Sequence, residues 1–189
     1  MRPFPALVLL LASVLPAAAQ LRPGEEFAVK TVAPAVVKTP EFNYTGGDQR
    51  RSTPGQWLVV EAEFAARPEI TPELTFKYYI LFAGTLLTGE VTHVNVPAGN
   101  SMFSSMYVSP RSLSRLLKGA QLTSNAIENI AVVITKPGVA QPIAEYVLRP
   151  NPKGTWWTTL QQVPGYLVNK NETPFAPLYW DRYEAIKPK

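Results

Sequence analysis

The chain has 189 residues and a formal net charge of +4, with no cysteine and a single histidine. A chain of this length can bury a core without disulfides or metals, and one domain is the natural expectation. The lack of cysteine favours a periplasmic or bacterial surface protein over a small secreted animal scaffold. The charge is low and the basic residues are scattered, which excludes a typical nucleic-acid partner.

The first 19 residues are typical of a secretory signal peptide. Arg2 supplies the positive start, residues 6–15 form an apolar run, and three alanines at 17–19 precede an expected cleavage before Gln20. The apolar run is too short to span a bilayer, so no transmembrane anchor is expected in the mature chain. We therefore predict export to the periplasm, the outer membrane or the cell surface of a Gram-negative bacterium.

Two segments, residues 57–64 and 74–82, alternate between apolar side chains and mostly polar or mixed ones. A period of two predicts strands with one face on a core and the other toward water. Trp57 and Tyr79 are expected on the water-facing sides. The expected core-facing side chains are Leu58, Val60, Ala62, Phe64, Leu74, Phe76, Tyr78, Ile80 and Phe82.

Proline and glycine divide the rest of the predicted β structure. Pro34 demotes residues 27–38 to an edge strand or to a strand that switches sheets. Turns are expected between Pro68 and Pro72, at Thr88-Gly89 and over residues 97–100. Further strands are expected over residues 102–108, 127–135 and 143–149.

One short helix is expected after Ser109, which can cap it, with Pro110 in its first turn and Gly119 beyond its end. Many short strands separated by turn residues indicate an all-β protein. We predict an immunoglobulin-like β-sandwich of about seven to nine strands, occupying residues 20–150. A closed barrel fits the same periodicity.

The composition changes in residues 151–189, which are rich in both proline and aromatic rings. Such a segment is too aromatic to stay in water. We expect this extension to pack either on its own sandwich or on a partner. Trp156 and Trp157 are adjacent, so both are not expected in one core.

No motif names a reaction. His93 could serve a nearby serine, but no nucleophile elbow surrounds Ser101, Ser104 or Ser105. Glu61 and Glu63 share a strand face, an arrangement that suits a glycosidase pair but is ordinary for an exposed strand. The ligands of a zinc site are not present in a recognisable spacing. We predict no enzyme, no cofactor and no metal site.

Binding remains as the expected activity. Aromatic rings carry much of the energy of protein interfaces, and a free sheet edge can accept a partner strand. Rings on an exported sandwich can also stack on sugars, so a carbohydrate-binding, adhesin-like module is the alternative. The candidate contact residues are Trp57, Trp156, Trp157, Tyr179 and Trp180.

The segment 165–181 reads GYLVNKNETPFAPLYWD. Together with the signal peptide and the cysteine-free β pattern, it resembles exported immunoglobulin-like proteins from type IV pilus-like gene clusters of some Gram-negative bacteria. The resemblance implies a non-enzymatic envelope component whose partners are envelope or pilus-assembly proteins. Major pilins carry a long hydrophobic helix after a short leader, which this sequence lacks, so a filament-forming pilin is not expected.

Overall fold

The computed structural model describes residues 25–42, 54–150 and 154–188. The predicted signal peptide and most of the polar segment 46–55 lie outside the described residues. Within them, seven strands and two short α-helices follow one another along the chain. The strands are β1 (Phe27–Lys38), β2 (Gln56–Phe82), β3 (Thr85–Val108), β4 (Ile127–Thr135), β5 (Ala144–Val147), β6 (Gln162–Pro164) and β7 (Leu167–Asn169), and the helices are α1 (Pro110–Leu116) and α2 (Trp156–Thr159).

The fold is built on the two long antiparallel strands β2 and β3, which bend together. Ala66 pairs with Gly99 and Ile70 pairs with Pro97, so extra residues of β2 form a bulge opposite β3. A bulge of this kind bends a strand and increases its twist. The first half of β2 pairs with β1, and the second half pairs with β4.

The bend folds one continuous sheet into two layers. The first layer holds β1, the first half of β2, the second half of β3 and β7. The second layer holds the other halves of β2 and β3, together with β4, β5 and β6. All pairs are antiparallel except β3 with β6. The predicted β-sandwich is confirmed.

The core lies between the two layers, and the predicted inward-facing side chains fill it. Every one of the nine residues assigned to the core from the alternation in β2 is fully buried. The rings of Phe64 and Phe76 meet across the layers with centroids 4.7 Å apart. Period-two alternation therefore identified the inner face of β2 correctly along both halves.

The hairpin between β2 and β3 turns at Ala83 and Gly84, with φ values of 46° and 75°, and not at Thr88-Gly89. Positive φ at both central residues is the geometry of a type I′ turn, which matches strand twist. Gly89 lies inside β3, where an added Cβ would stand 2.6 Å from the Leu167 Cβ. The glycine serves close packing there, so the turn prediction was wrong.

Two further turn predictions fall on the bend. The chain does not reverse direction at either place. Both lie within the continuous strands, Pro68 and Pro72 in β2 and residues 97–100 in β3.

The helix prediction is confirmed: the Ser109 Oγ accepts a hydrogen bond from the Ser112 N–H at 3.2 Å. Within the described residues β1 pairs with β2 alone, so Pro34 does lie on an edge strand.

Gly89→Ala should destabilise the fold by about 1–3 kcal/mol, because the new methyl group overpacks the contact with Leu167. Urea denaturation followed by circular dichroism measures this loss. Thr88→Ala, on the neighbouring half-buried position, is the control and should change stability by only about 0.5 kcal/mol. Equal midpoints for Gly89→Ala and the parent chain would show that β3 and β7 are not tightly packed here.

Candidate functional site

The C-terminal extension covers the outer face of the first layer. The Phe175 ring stacks on Tyr107 at 5.1 Å and meets Trp57 edge-on at 5.7 Å. The indole N–H of Trp57 donates to the Thr39 Oγ1 at 3.1 Å. Trp57 is consequently only 8% exposed, and its predicted orientation toward water was wrong.

The outer face of the second layer is covered in the same way by α2. The Trp157 ring lies 6.2 Å from that of Tyr79, and Trp156 packs edge-on against Trp157 at 5.6 Å. Both tryptophans are buried, contrary to expectation. They occupy a small satellite core outside the sandwich with Leu86 and Val133, which is how adjacent indoles can both leave water.

Local hydrogen bonds in the segment after β7 aim Phe175 at this face. Asn169 caps a short 3₁₀ turn (Lys170–Glu172), accepting from the Asn171 N–H, while Glu172 accepts from the Asn169 N–H. The buried Lys170 ammonium donates to the Ala176 carbonyl at 2.8 Å, and burial lowers its pKa. The motif NKNETPFAP thus encodes a rigid turn that places one ring.

A groove with a volume of about 740 Å³ runs between β1 and the C-terminal extension. One wall is formed by the small side chains of β1, and the opposite wall by Leu178 and Tyr179. The floor is the outer face of β2 and β3. We call this feature the β1 groove; it is lined by Ala33, Ala35, Val37, Lys38, Thr39, Pro40, Val59, Glu61, Tyr107, Phe175, Leu178, Tyr179, Arg182 and Tyr183.

Three polar groups of the β1 groove, Glu61, Arg182 and Tyr183, bond to one another. Glu61 accepts from Arg182 through two nitrogens, at 2.7 and 3.2 Å, and from the Tyr183 hydroxyl at 2.6 Å. The Arg182 guanidinium also lies 3.7 Å from the ring centre of Phe103. Burial raises the pKa of Glu61, but these donors outweigh it and hold the pKa below its ordinary value. Glu61 is therefore an ionised, fully engaged carboxylate at neutral pH.

Glu63, the other carboxylate of the same strand face, has separate partners. It accepts from Ser101 at 2.9 Å and lies 3.8 Å from the Lys30 ammonium. A glycosidase needs one protonated carboxyl group that acts as the acid. Glu61, whose pKa is lowered, does not suit that role. Both of its oxygens are held by Arg182 and Tyr183, and Glu63 is held by Ser101 and Lys30, so the two carboxylates belong to separate networks.

His93 joins the last residues of the chain to the sandwich. Its Nδ1 lies 3.1 Å from the Glu184 carbonyl oxygen, and its Nε2 lies 2.8 Å from the Ser104 Oγ. Because a carbonyl only accepts, Nδ1 carries the proton and Nε2 accepts from Ser104. Backbone hydrogen bonds from Val94 and Lys187 continue this contact as a short strand addition to β3.

The histidine and serine are thus in contact, but both are almost completely buried. Burial lowers the pKa of His93 to about 4. A substrate could reach neither side chain without unfolding the C-terminal residues, so the pair holds the chain together.

Within the described ranges, no three side chains of His, Asp or Glu gather as metal ligands. No helix there is long and apolar enough to cross a bilayer.

The five candidate contact residues separate into two groups. Trp57, Trp156 and Trp157 are buried, while Tyr179 is 62% and Trp180 is 78% exposed. Tyr179 lines the β1 groove. The wall that β1 contributes to the groove was not predicted from the sequence. The sequence feature that could have indicated it is the run of small apolar residues around Pro34, which does not alternate with polar ones.

Phe175→Ala should cost about 3–4 kcal/mol of unfolding free energy, because it removes a buried ring that packs on two others. Chemical denaturation of the mature chain measures it. Pro177→Ala, at an exposed position of the same segment, should stay within about 0.5 kcal/mol of the parent. Similar small losses for both variants would mean that the extension is not part of the folded unit.

Stability should fall as the pH drops from about 6.5 to about 4. In this window His93 binds a proton in the unfolded chain but stays neutral in the folded one, where it is buried. A pKa lowered by this much corresponds to about 3 kcal/mol lost over that window. His93→Gln should flatten the pH profile of the urea midpoint across the window. If His93→Gln has the same slope as the parent chain, His93 binds its proton equally well in the folded and the unfolded state. Glu61 loses its stabilising effect only at lower pH, below its ordinary pKa.

Comparison with known proteins places the chain in a family. One protein-family model matches residues 18–189. A crystal structure from Akkermansia muciniphila, of a pilus-associated protein, has a TM-score of 0.74 and 26% sequence identity. It covers 87% of this chain and 94% of its own. No curated protein sequence gives a significant match. Because the family model spans nearly the whole sequence, the chain belongs to this family, which is related to the pilus-associated protein.

Proposed function

We propose that the chain is a non-enzymatic envelope protein that docks onto another protein of a type IV pilus-like or secretion assembly. The β1 groove and the exposed rings beside it form the docking surface. The single observation that carries this proposal is the contrast among the aromatic residues. Among the described residues most aromatic rings pack against the sandwich, whereas Tyr179 and Trp180, the two most exposed, project into water beside an apolar groove.

The backbone at Tyr179 supports a role in recognition. Its φ of 52° lies in the left-handed region, which is unusual for a bulky residue. Such a conformation costs roughly 1–3 kcal/mol and is found most often at functional sites. Here it occurs in the segment that presents two rings to solvent. Tryptophan and tyrosine are the residues that most often dominate interface energies.

Export to the periplasm, the outer membrane or the cell surface is part of the proposal. It is supported by the signal-peptide pattern of residues 1–19 and by the family's relation to a pilus-associated protein. A protein with this role supplies shape and apolar contact to an assembly. It needs neither a cofactor nor a metal for that role.

The carbohydrate-binding alternative is weakened by the burial of Trp57, Trp156 and Trp157. These rings cannot stack on a sugar while they are packed under other side chains. Of the five candidate contact residues, Tyr179 and Trp180 remain free for stacking. Glycan binding therefore enters as an outcome of the following test.

The double variant Tyr179→Ala/Trp180→Ala should lose its partner while keeping its fold, because both side chains are exposed. The tagged chain is cross-linked in the living bacterium, and the recovered pilus-system proteins are quantified by mass spectrometry. We expect recovery to fall about tenfold, as for loss of an interface hot spot. The unfolding free energy should change by less than about 1 kcal/mol.

Ile70→Ser/Leu160→Ser is the matched control, since both side chains are exposed and apolar but do not line the β1 groove. It should recover the same proteins as the parent chain. Equal recovery by the double variant would refute the docking surface. Failure of the parent chain to recover pilus-system proteins would refute the assignment to such an assembly. Glycan-array binding abolished by the double variant would establish the alternative.

A further inference from the structure

The strand β1 is covered along only one of its halves. Phe27, Val29 and Val32 are buried in the main core. From Ala33 onward the strand opens to solvent, and Val36 is 49% exposed although it pairs with the fully buried Leu58. No other strand of the described residues pairs with residues 33–38 on the side away from β2, so they present an open sheet edge there.

Pro34 shows which backbone groups face outward. It lies in register with Val60 of β2, and proline has no N–H to give to a ladder. A proline within a sheet is accepted where its nitrogen faces the free side. Along a strand, the backbone groups of every second residue point to the same side. The N–H groups of Val36 and Lys38 therefore point away from β2, as the Pro34 nitrogen does.

The β1 groove lies next to this edge on the outer face of the first layer. Ala33, Ala35 and Val37 alternate along β1 and line it. Their small side chains leave the space that makes the groove. A strand added beside residues 33–38 would place every second side chain over this space, opposite Leu178 and Tyr179.

Charge selects among the possible occupants. β1 carries Lys30 and Lys38 and no acidic residue. In the described part of the chain, Lys38 has no ion pair. Lys30 already lies 3.8 Å from Glu63, so of the two lysines Lys38 is the one left for an incoming strand. A second copy paired antiparallel about Pro34 would set the two prolines opposite each other, and neither has an N–H to exchange. An incoming strand with a carboxylate near Lys38 is complementary.

We infer that residues 33–38 bind an extended segment of a partner protein by strand addition. The segment carries alternating apolar side chains that fill the β1 groove and an acidic residue at the end that lies beside Lys38. The outward backbone groups of Val36 and Lys38 supply hydrogen bonds, and the groove selects side chains. The inference rests on the proposed function, because it specifies the partner segment for the same surface.

A synthetic peptide tests the inference without knowledge of the partner. The probe is a capped peptide of about eight residues that alternates valine and threonine, which matches the span of the edge. It has a glutamate at each end, so that either strand direction places one carboxylate near Lys38. Titration into the isotope-labelled mature chain is followed by amide chemical shifts. We expect saturable changes centred on residues 33–38 and on Tyr179.

Two altered peptides separate backbone pairing from general stickiness. N-methylation of alternate backbone amides removes hydrogen bonding and keeps the side chains, and should weaken binding at least about tenfold. Exchange of both glutamates for lysine should weaken binding by a similar factor, about tenfold, at low salt. Equal affinity for the N-methylated peptide would overturn the inference. So would the absence of shifts in residues 33–38 at about 1 mM peptide.

Protein variants provide the second arm. Val36→Pro removes an outward N–H and should abolish binding of the glutamate peptide, whereas Val36→Thr keeps both the N–H and the shape and should bind like the parent chain. If Val36→Pro does not fold, the N-methylated peptide still decides. A parent dimer that Val36→Pro dissociates in analytical ultracentrifugation would overturn the inference in favour of a second copy.

The peptide experiment and the cross-linking experiment fail separately. Peptide binding without recovery of pilus-system proteins would leave strand addition standing and refute the proposed assembly. Recovery of those proteins by Val36→Pro at the parent level would leave the proposed function standing and refute strand addition.

Discussion

The shared bend in β2 and β3 is the constraint on which the rest of the structure depends. The register between β2 and β3 shifts between Phe64 and Ile70 of β2. The sheet therefore folds back on itself, and the inner faces of its two halves meet. The bend also places the second half of β3 beside the first half of β2, which pairs with β1. Each layer then has an outer face that still carries large apolar side chains. Those faces cannot remain in water without cost, and this requirement gives the C-terminal extension its place.

The extension is therefore an integral part of the folded unit. It adds β6 and β7 to the sheet, and its rings cover Trp57 on one face and Tyr79 on the other. Its last residues reach the bend itself, where His93 lies on one half of β3 and Ser104 on the other. Neutral His93 couples that closure to pH. The wall of the β1 groove belongs to the same extension, between the packed Phe175 ring and the hydrogen bonds of Arg182 and Tyr183 to Glu61.

Alternation of side chains was sufficient to predict the core of β2, because period-two burial is a local property of a strand. It could not predict the outer faces. Whether Trp57 meets water depends on Phe175, more than a hundred positions along the chain. Gly89 was mistaken for a turn because a glycine that permits a turn and one that permits close packing look alike in sequence. Pro68 indicated a break, yet a bulge absorbs it. The β1 groove was not predicted, because Ala33 and Ala35 contribute to it by being small. A sequence does not show whether the space beside a small side chain is filled by another part of the chain.

Three of the reactive groups singled out in the sequence are engaged inside the fold. His93 and Ser104 are sealed under the last residues, and both oxygens of Glu61 accept hydrogen bonds. The exposed features are of another kind, a bare strand edge and two aromatic rings. An uncovered apolar edge invites unwanted pairing, and proteins usually cover or charge it. Among the described residues β1 contacts β5 as well as β2, and its second half is largely exposed, with Pro34 and Lys38 limiting what can add there. An edge restricted in that way discourages self-association while remaining available to a strand of complementary charge.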